Sequence, residues 1–177
     1  LASDPGVRQS FGFGNFSQVF VVRGFQLFSD DIAFNGLYGV LPRQIISTES
    51  VERVEVFKGA NAFVDGVSPS GSGVGGAINV VSKRAEDTPT RSATLDYASD
   101  SRVGGHLDLG QRFGEDNRFG ARVNLAQREG ETAVDDEHSR FSLAALGLDY
   151  RGDRLRLAAD LGYQKQRVNQ GRSVVYL

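Results

Sequence analysis

The second half of this chain alternates between apolar and polar residues over three long segments, Arg102–Phe113, Arg118–Arg128 and Arg154–Gln166. In each segment the odd positions are mostly apolar, whereas the even positions are mostly arginine, aspartate, asparagine, glutamine or glycine. Successive side chains of an extended strand point to opposite faces, so a period of two predicts strands rather than helices. The alternation therefore predicts long antiparallel strands with one apolar face and one face rich in arginine.

The connections between these strands differ in length. Gly114–Asn117 and Arg151–Asp153 read as tight turns, whereas Gln127–Ser139 is long and acidic. Membrane barrels have short turns on one side and longer loops on the other, and a strand of about ten residues crosses the apolar band. Strand length and turn asymmetry therefore favour strands that cross a membrane.

Two further strands are predicted at Ser92–Ser99 and Arg140–Tyr150. In the second of these the apolar parity shifts between Leu143 and Leu146, which a β-bulge would explain. An uncertain register would explain the shift equally well. A soluble antiparallel sheet with one buried face shows the same alternation, so a soluble binding module stays open on periodicity alone.

The first half has another character, because its apolar runs are short and are broken by glycine, proline and asparagine. Phe20–Arg23, Val51–Phe57 and Gly76–Lys83 read as short strands. Ala60–Val64 is expected to form one helical turn, and Ala85–Pro89 is a polar hinge. These residues predict a small, loop-rich α+β unit.

Three motifs of this half stand in a fixed order: Val22-Arg23-Gly24-Phe25, then VERVEVFKG over Val51–Gly59, then GGAINVVSKR over Gly75–Arg84. The text resembles the plug domain of TonB-dependent outer-membrane receptors, where IRGF, (I/V)ER(I/V)E(V/I)xxG and GGxIN(I/V)(V/I)(S/T)KR follow at similar spacing. The resemblance implies an α+β plug (a small mixed sheet with short helices) over residues 1–88. It further implies that residues 89–177 are the first strands, about five, of a transmembrane β-barrel that is incomplete in this chain.

The resemblance also implies a function, the TonB-dependent uptake of a ferric siderophore across the outer membrane of a Gram-negative bacterium. Receptors for haem, cobalamin or a glycan share the architecture and remain alternatives. The expected partners are the ferric siderophore, outer-membrane lipid and the TonB complex of the inner membrane, whose contact segment we expect to lie outside this chain. No cofactor is expected, since the ligand would arrive as an iron chelate.

Residues that match the outward plug apices of the family are the expected ligand contacts. Among them, Tyr38 offers both a ring face and a hydroxyl for contact with a siderophore. The full set is Phe28, Ser29, Asp30, Leu37, Tyr38 and Gly39.

Charged residues of the plug form a second set, with an expected role in ion pairing between plug and barrel. The resemblance implies that the cations at the Arg23 and Lys58 positions pair with carboxylates on the inner barrel wall. Such pairs fix register and are broken when the plug is released, while adding little net stability when buried. The set is Arg23, Glu52, Arg53, Glu55, Lys58 and Arg84.

Composition excludes several other functions. The chain has no cysteine, so it contains neither a disulfide nor a thiolate metal site, and its net charge of −2 comes without the basic stripe that nucleic acid requires. Six glycines occur from Gly59 to Gly76, but no following Lys-Ser or Lys-Thr supports a phosphate loop. His106 and His138 lack companion ligands, so no metal site is expected, and no nucleophile–base pair indicates an enzyme.

Methionine is also absent from the 177 residues. Because translation begins with methionine, we expect the chain to be processed or to be an internal part of a longer protein.

Overall fold

The computed structural model describes residues 4–10, 17, 19–59, 66, 68–69, 71, 74–98, 101–132 and 134–170. These residues divide into two compact units. The first unit lies within 4–46 and 51–82, and the second comprises 47–50 and 83–170. The two units are described in turn.

The first sheet of the first unit is antiparallel and has the order β1 (Val7–Gln9), β2 (Val19–Val22), β3 (Phe25–Phe28). β2 and β3 are joined by Arg23 and Gly24, which have φ angles of 52° and 89°. Positive φ at both central positions is the geometry of the tight hairpin turn that matches strand twist, and glycine adopts it without strain.

A 3₁₀ turn, Ser29–Asp31, leads from β3 to the second sheet, which has the order β4 (Ala33–Phe34), β6 (Gly76–Ser82), β5 (Val51–Lys58). β4 runs parallel to β6, and β5 runs antiparallel to it. The sheet is therefore mixed, as predicted for this half of the chain.

An apolar cluster among the described residues of the first unit draws on both of its sheets. Burying an aliphatic or aromatic side chain of this size contributes about 1.5–3 kcal/mol, so this cluster is the main stabilising element of the unit. Its buried members are Val7, Phe20, Val22, Leu27, Ile32, Ile78 and Val80.

The three strands predicted in this half are confirmed to within one residue, since β2, β5 and β6 occupy the predicted segments. The predicted short helices are not confirmed: the described residues contain strands and two 3₁₀ turns but no α-helix. The helical turn predicted at Ala60–Val64 lies outside the described residues. Among the residues that the structure describes, no helix is long and apolar enough to cross a membrane.

The second unit is built on a five-stranded antiparallel sheet in which the strands follow one another in chain order. Only neighbouring strands pair, so each tight turn or loop joins strands that lie side by side. Within the described residues the sheet is open, with the first and last strands at its edges. The strands are β7 (Thr90–Ala98), β8 (Arg102–Phe113), β9 (Phe119–Glu131), β10 (His138–Arg151) and β11 (Arg156–Asn169).

The bulge suggested for the fourth of these strands is wrong. β10 pairs without a register shift with β9 on one side and with β11 on the other. Leu143 is simply an apolar residue on the polar face, where it is buried, while Leu146 lies on the opposite face. The apparent parity shift therefore reflects one buried leucine and no change of backbone geometry.

The two faces of this sheet invert the pattern of an ordinary soluble sheet. The buried face carries charged and polar side chains, among them Asp108, Arg112, Arg122 and Asn124. The opposite face leaves large apolar side chains exposed; they include Leu95, Tyr97, Val103, Leu109, Phe113, Phe119, Leu125, Leu148, Leu157, Leu161 and Tyr163.

Glycines on the buried face make room for the arginines. In the register of β8 and β9, Gly104 lies opposite Arg128, Gly110 opposite Arg122, and Gly120 opposite Arg112. A Cβ added at Gly110 would lie 2.6 Å from Cδ of Arg122, so the arginine stem occupies the space that a side chain would need. Each long arginine therefore lies across a neighbour that has no side chain.

This arrangement predicts that Gly110→Ala lowers the free energy of unfolding of the intact protein by about 1–3 kcal/mol, because Arg122 must move. Gly105→Ala is the matched control, since a Cβ there lies on the exposed face, 3.5 Å from the nearest atom, Cδ2 of Leu95. The control is expected to change stability by less than about 0.5 kcal/mol. Denaturant titration of both variants measures the difference, and equal effects would contradict the packing described.

Candidate functional site

The turn that follows β4 presents three of the residues predicted to contact ligand. Asn35 and Gly36 have φ angles of 50° and 82°, and the N–H groups of Phe34 and Leu37 each donate to the other residue's carbonyl at 2.9 Å. This closes a two-residue turn of the kind that favours Asn-Gly. Beyond it Leu37 is 64% exposed, Tyr38 is half-buried and Gly39 is exposed.

Tyr38 lies next to a glycine that is distant in the sequence. A Cβ added at Gly66 would be 3.8 Å from Cε2 of the Tyr38 ring, and Gly66 has a φ angle of 78°. The ring of Tyr38 therefore packs over backbone on one side.

The other three predicted contacts occupy the end of β3 and the 3₁₀ turn. Phe28 is half-buried and Asp30 is exposed. Ser29 is buried, and its hydroxyl donates to the carbonyl of Arg43 at 2.5 Å. Because the Ser29 hydroxyl already has this partner and Phe28 is half-buried, Asp30 is the residue of this group that is most accessible to a ligand.

Three of the charged residues predicted to form ion pairs, Glu52, Arg53 and Glu55, pair with one another. Arg53 donates to Glu52 at 2.8 Å and to Glu55 at 2.9 Å. A hydrogen bond from the Asn79 amide, together with the one from Arg53, lowers the pKa of Glu55. Ion pairing of these residues with a barrel wall stays a prediction.

Two further members of that set lie near one another. Lys58 forms a pair of 2.9 Å with Asp4, and its hydrogen bond and that of the Gly6 N–H lower the pKa of Asp4. Arg23 directs Nη1 to within 3.4 Å of the position that a Cβ on Gly59 would take. Arg23 thus approaches the glycine that ends the VERVEVFKG motif.

Arg84, the last member of the set, belongs to the second unit, in the segment Lys83–Asp87 that we name the linker. Its two terminal nitrogens donate to the two carboxylate oxygens of Asp160 on β11, each at 2.5 Å. Lys83 pairs with Asp108 at 2.9 Å. Both linker cations therefore meet carboxylates on the buried face of the sheet.

Three strand arginines in turn hold the linker backbone. Arg122 donates to the carbonyl of Arg84 at 3.2 Å and to both carboxylate oxygens of Asp108 at 2.5 and 2.9 Å. Arg112 donates to the carbonyl of Ala85 at 3.1 Å and Arg151 to the same oxygen at 3.5 Å. The linker is thus bound through its main chain as well as its side chains.

A second segment, Ser47–Ser50, is held on the same sheet. Glu49 pairs with Arg128, which also pairs with Asp96 at 2.7 Å, and the Ser47 N–H donates to Gln164 at 2.8 Å. Burial raises the pKa of Glu49, but hydrogen bonds from Ser47 and Arg128 outweigh it and leave the pKa below its ordinary value.

The two held segments are joined to each other by the Lys83 N–H, which donates to the carbonyl of Ser50 at 2.9 Å. The alternation of apolar and polar residues in the sequence identifies the polar face of the strands, but it does not identify the two segments that bind to this face. The glycines spaced between the arginines of β8 and β9 were the available signal, because they mark where long side chains lie flat on the sheet.

In the part of the chain that the structure describes, no three His, Asp or Glu side chains are grouped so that they could hold an ion. Nε2 of His106 lies 3.0 Å from the Asn124 carboxamide oxygen. Nε2 of His138 lies 3.5 Å from Glu129.

Comparison with known proteins gives a consistent result. A family model described as TonB-dependent Receptor Plug Domain matches residues 1–76. Over 175 residues the chain is 57% identical to the ferrichrome receptor FcuA of Yersinia enterocolitica, a match that covers 99% of this chain and 23% of the receptor.

Solved structures agree with this match. The ferric preacinetobactin receptor BauA of Acinetobacter baumannii superposes with a TM-score of 0.83 at 41% identity, covering 89% of this chain and 23% of that receptor. The pyoverdine outer membrane receptor FpvA of Pseudomonas aeruginosa gives a TM-score of 0.76 over 92% of this chain and 24% of that receptor, and at 19% identity it shows the fold alone. The chain spans about a quarter of the length of these relatives. The plug-domain model thus matches residues 1–76, and the likeness to these receptors extends over nearly all of the chain.

Proposed function

We propose that this chain is part of an outer-membrane receptor that takes up a ferric siderophore with energy delivered through TonB. TonB-dependent receptors are outer-membrane proteins of Gram-negative bacteria, which sets the location. The plug would comprise residues 1–88, and residues 89–177 would belong to the barrel. The family is one of receptors and transporters rather than enzymes.

The observation that carries the proposal is the inverted sheet. Leu95 is 90% exposed on one face, while Arg112 and Arg122 are 4% and 5% exposed on the other. A soluble sheet buries its apolar face and exposes its charges. Strands with leucine outside and paired charges inside suit a wall between lipid and a polar interior.

Aromatic residues mark one boundary of the apolar band. Phe113 and Phe119 stack with ring centroids 5.9 Å apart, and Tyr150 lies 4.9 Å from Phe119. These rings lie on the apolar face beside the tight turns, next to the charged Arg118. Aromatic side chains form girdles at the interfaces of membrane barrels, so this end of the sheet fits the edge of the bilayer.

The height of the band agrees with this assignment. On β8 the exposed apolar residues run from Val103 to Phe113. Ten steps of about 3.3 Å give a length of about 33 Å, which a tilt of about 40° reduces to roughly 25 Å. That height is the apolar band of an outer membrane. The alternative of a soluble binding module would require another protein to cover the whole face.

A ferric siderophore is the best-supported substrate class, because two relatives are named as receptors for ferrichrome and for ferric preacinetobactin. Haem, cobalamin and glycan receptors remain alternatives within the same architecture. No cofactor is needed, since the iron would be bound as its chelate. We expect Leu37, Tyr38, Gly39, the exposed Asp30 and the half-buried Phe28 to contact it, whereas the hydroxyl of the buried Ser29 is already bonded to the carbonyl of Arg43.

The proposed orientation of the strands predicts that adjacent residues of β11 meet different surroundings. These 177 residues contain no cysteine, so a spin label is placed at a cysteine introduced at Leu157 or at Ala158 in the intact receptor, after any cysteine elsewhere in the receptor is replaced. The label at Leu157 should be reached by oxygen dissolved in lipid, whereas the label at Ala158 should be shielded from it. Equal oxygen accessibility at the two positions would contradict the assignment of a lipid-facing side to β11.

The proposed contact turn predicts that Tyr38→Ala weakens binding of ferrichrome to the receptor by about 1–3 kcal/mol, as removal of an aromatic anchor does. Tyr97→Ala is the control, since Tyr97 is an exposed tyrosine on the apolar face of the sheet. Titration calorimetry with ferrichrome, and then with ferric preacinetobactin, measures both variants. Unchanged affinity in Tyr38→Ala would remove this residue from the site.

The linker contacts predict that Arg84→Asp lowers the free energy of unfolding of the receptor by about 1–3 kcal/mol, because Asp160 loses a charged donor. The reversed pair, Arg84→Asp with Asp160→Arg, should recover part of that loss. Hydrogen exchange of the linker amides reports where the change occurs. A reversed pair no more stable than Arg84→Asp alone would count against a specific ion pair.

A further inference from the structure

The turn that presents Leu37–Gly39 has little strand pairing of its own. β4 consists of two residues, and it pairs with β6 at two positions, Ala33 with Asn79 and Phe34 with Val80. Beyond Phe34, one ladder-like bond continues, from the N–H of Asn35 to the carbonyl of Val80 at 2.9 Å. A ladder this short leaves the turn to be fixed by other contacts.

Side chains supply those contacts. The amide nitrogen of Asn35 donates to the Ser82 hydroxyl at 2.9 Å, and the Ser82 backbone N–H donates to the Asn35 carboxamide oxygen at 3.0 Å. The same two side chains are close enough for a third bond of 3.4 Å between the hydroxyl and that oxygen. Asn35 is thereby tied to the last residue of β6.

Asn79 holds the other half of the turn. Its carboxamide oxygen accepts the N–H of Gly36 at 2.9 Å, and its amide nitrogen donates to Glu55 at 2.8 Å. Glu55 is in turn held by Arg53 at 2.9 Å. The Asn79 side chain is therefore fixed on one side by β5 while it fixes the turn on the other.

We propose that Asn79 and Ser82 are positioning residues for ligand recognition: they bind no ligand themselves but hold the turn that presents Leu37, Tyr38 and Gly39. This inference rests on the proposed function, in which that turn contacts the ferric siderophore. Both residues belong to the GGAINVVSKR motif. In this proposal its polar positions fix the turn, whereas its apolar positions do not. Ile78 and Val80 build the core, while Asn79 and Ser82 fix the turn.

The first experiment measures the turn without ligand. Asn79→Leu, close in size, removes both carboxamide bonds, and amide exchange over residues 35–39 of the receptor should quicken about fivefold, as expected for one lost hydrogen bond. Amides of β5 and β6 should keep their protection. Glu55→Gln is the matched control, because its oxygen still accepts from Asn79, and exchange in the turn should stay as in the unaltered receptor.

A second variant covers the case in which Asn79→Leu does not fold. Asn35→Gly keeps the positive φ of the turn without strain and removes the bonds to Ser82. Asn35→Asp retains the oxygen that accepts from the Ser82 N–H and should restore much of the protection. If both Asn79→Leu and Asn35→Gly leave exchange of the turn unchanged, the positioning role is overturned.

The second experiment connects position with recognition, using ferrichrome as the probe and ferric preacinetobactin if ferrichrome does not bind. Asn79→Leu should weaken binding about fivefold in the unaltered receptor and should add nothing in a Tyr38→Ala background, because both changes act through one turn. Additive losses, or no loss in the unaltered receptor, would overturn the inference while leaving the receptor function intact.

If exchange in the turn is faster in Asn79→Leu but Tyr38→Ala does not change the affinity for the ligand, the turn would be removed from the proposed site. If the unaltered receptor binds neither probe, the ferric-siderophore assignment fails and the inference about ligand falls with it.

Discussion

The pairing of guanidinium groups on the buried face of the second sheet is the constraint on which the rest of that unit depends. A buried charge that loses its partner costs about 3–5 kcal/mol, so each arginine there must find an acceptor. Arg122 donates to both oxygens of Asp108 and to the carbonyl of Arg84. Arg112 donates to the carbonyl of Ala85 and pairs with the Asp149 carboxylate at 2.9 Å. Strands that must bury arginine therefore need a chain segment with free carbonyls, and the linker supplies it.

Much of this architecture could be predicted from the sequence, because a period of two encodes both the strand and its faces directly. The long strands β8 and β9 follow the alternation closely, and short motifs placed β5 and β6. β1 and β4 escaped prediction because strands of two or three residues owe their extension to the neighbours that they pair with, and β3 lacks the run of β-branched residues that marks β2.

The candidate site was less accessible to such reasoning, since its contacts join distant parts of the chain. The charge of Arg84 was recognised, but its partner Asp160 lies 76 residues away, and only the sheet register brings them together. Likewise Ser29 looks like a solvated loop residue until the carbonyl of Arg43 is found to accept its hydroxyl. Local pattern indicates which residues carry chemistry, whereas tertiary pairing decides which of them remain free for a ligand.

The glycines that lie opposite arginines in β8 and β9 have a consequence for how such sequences diverge. Positions 104 and 128, 110 and 122, and 120 and 112 each share one volume across the ladder. A side chain gained at the glycine leaves too little room for the arginine, and a shortened arginine opens a gap over the glycine. Each cross-strand couple therefore fills one shared space, and we expect related sequences to exchange both members together or neither.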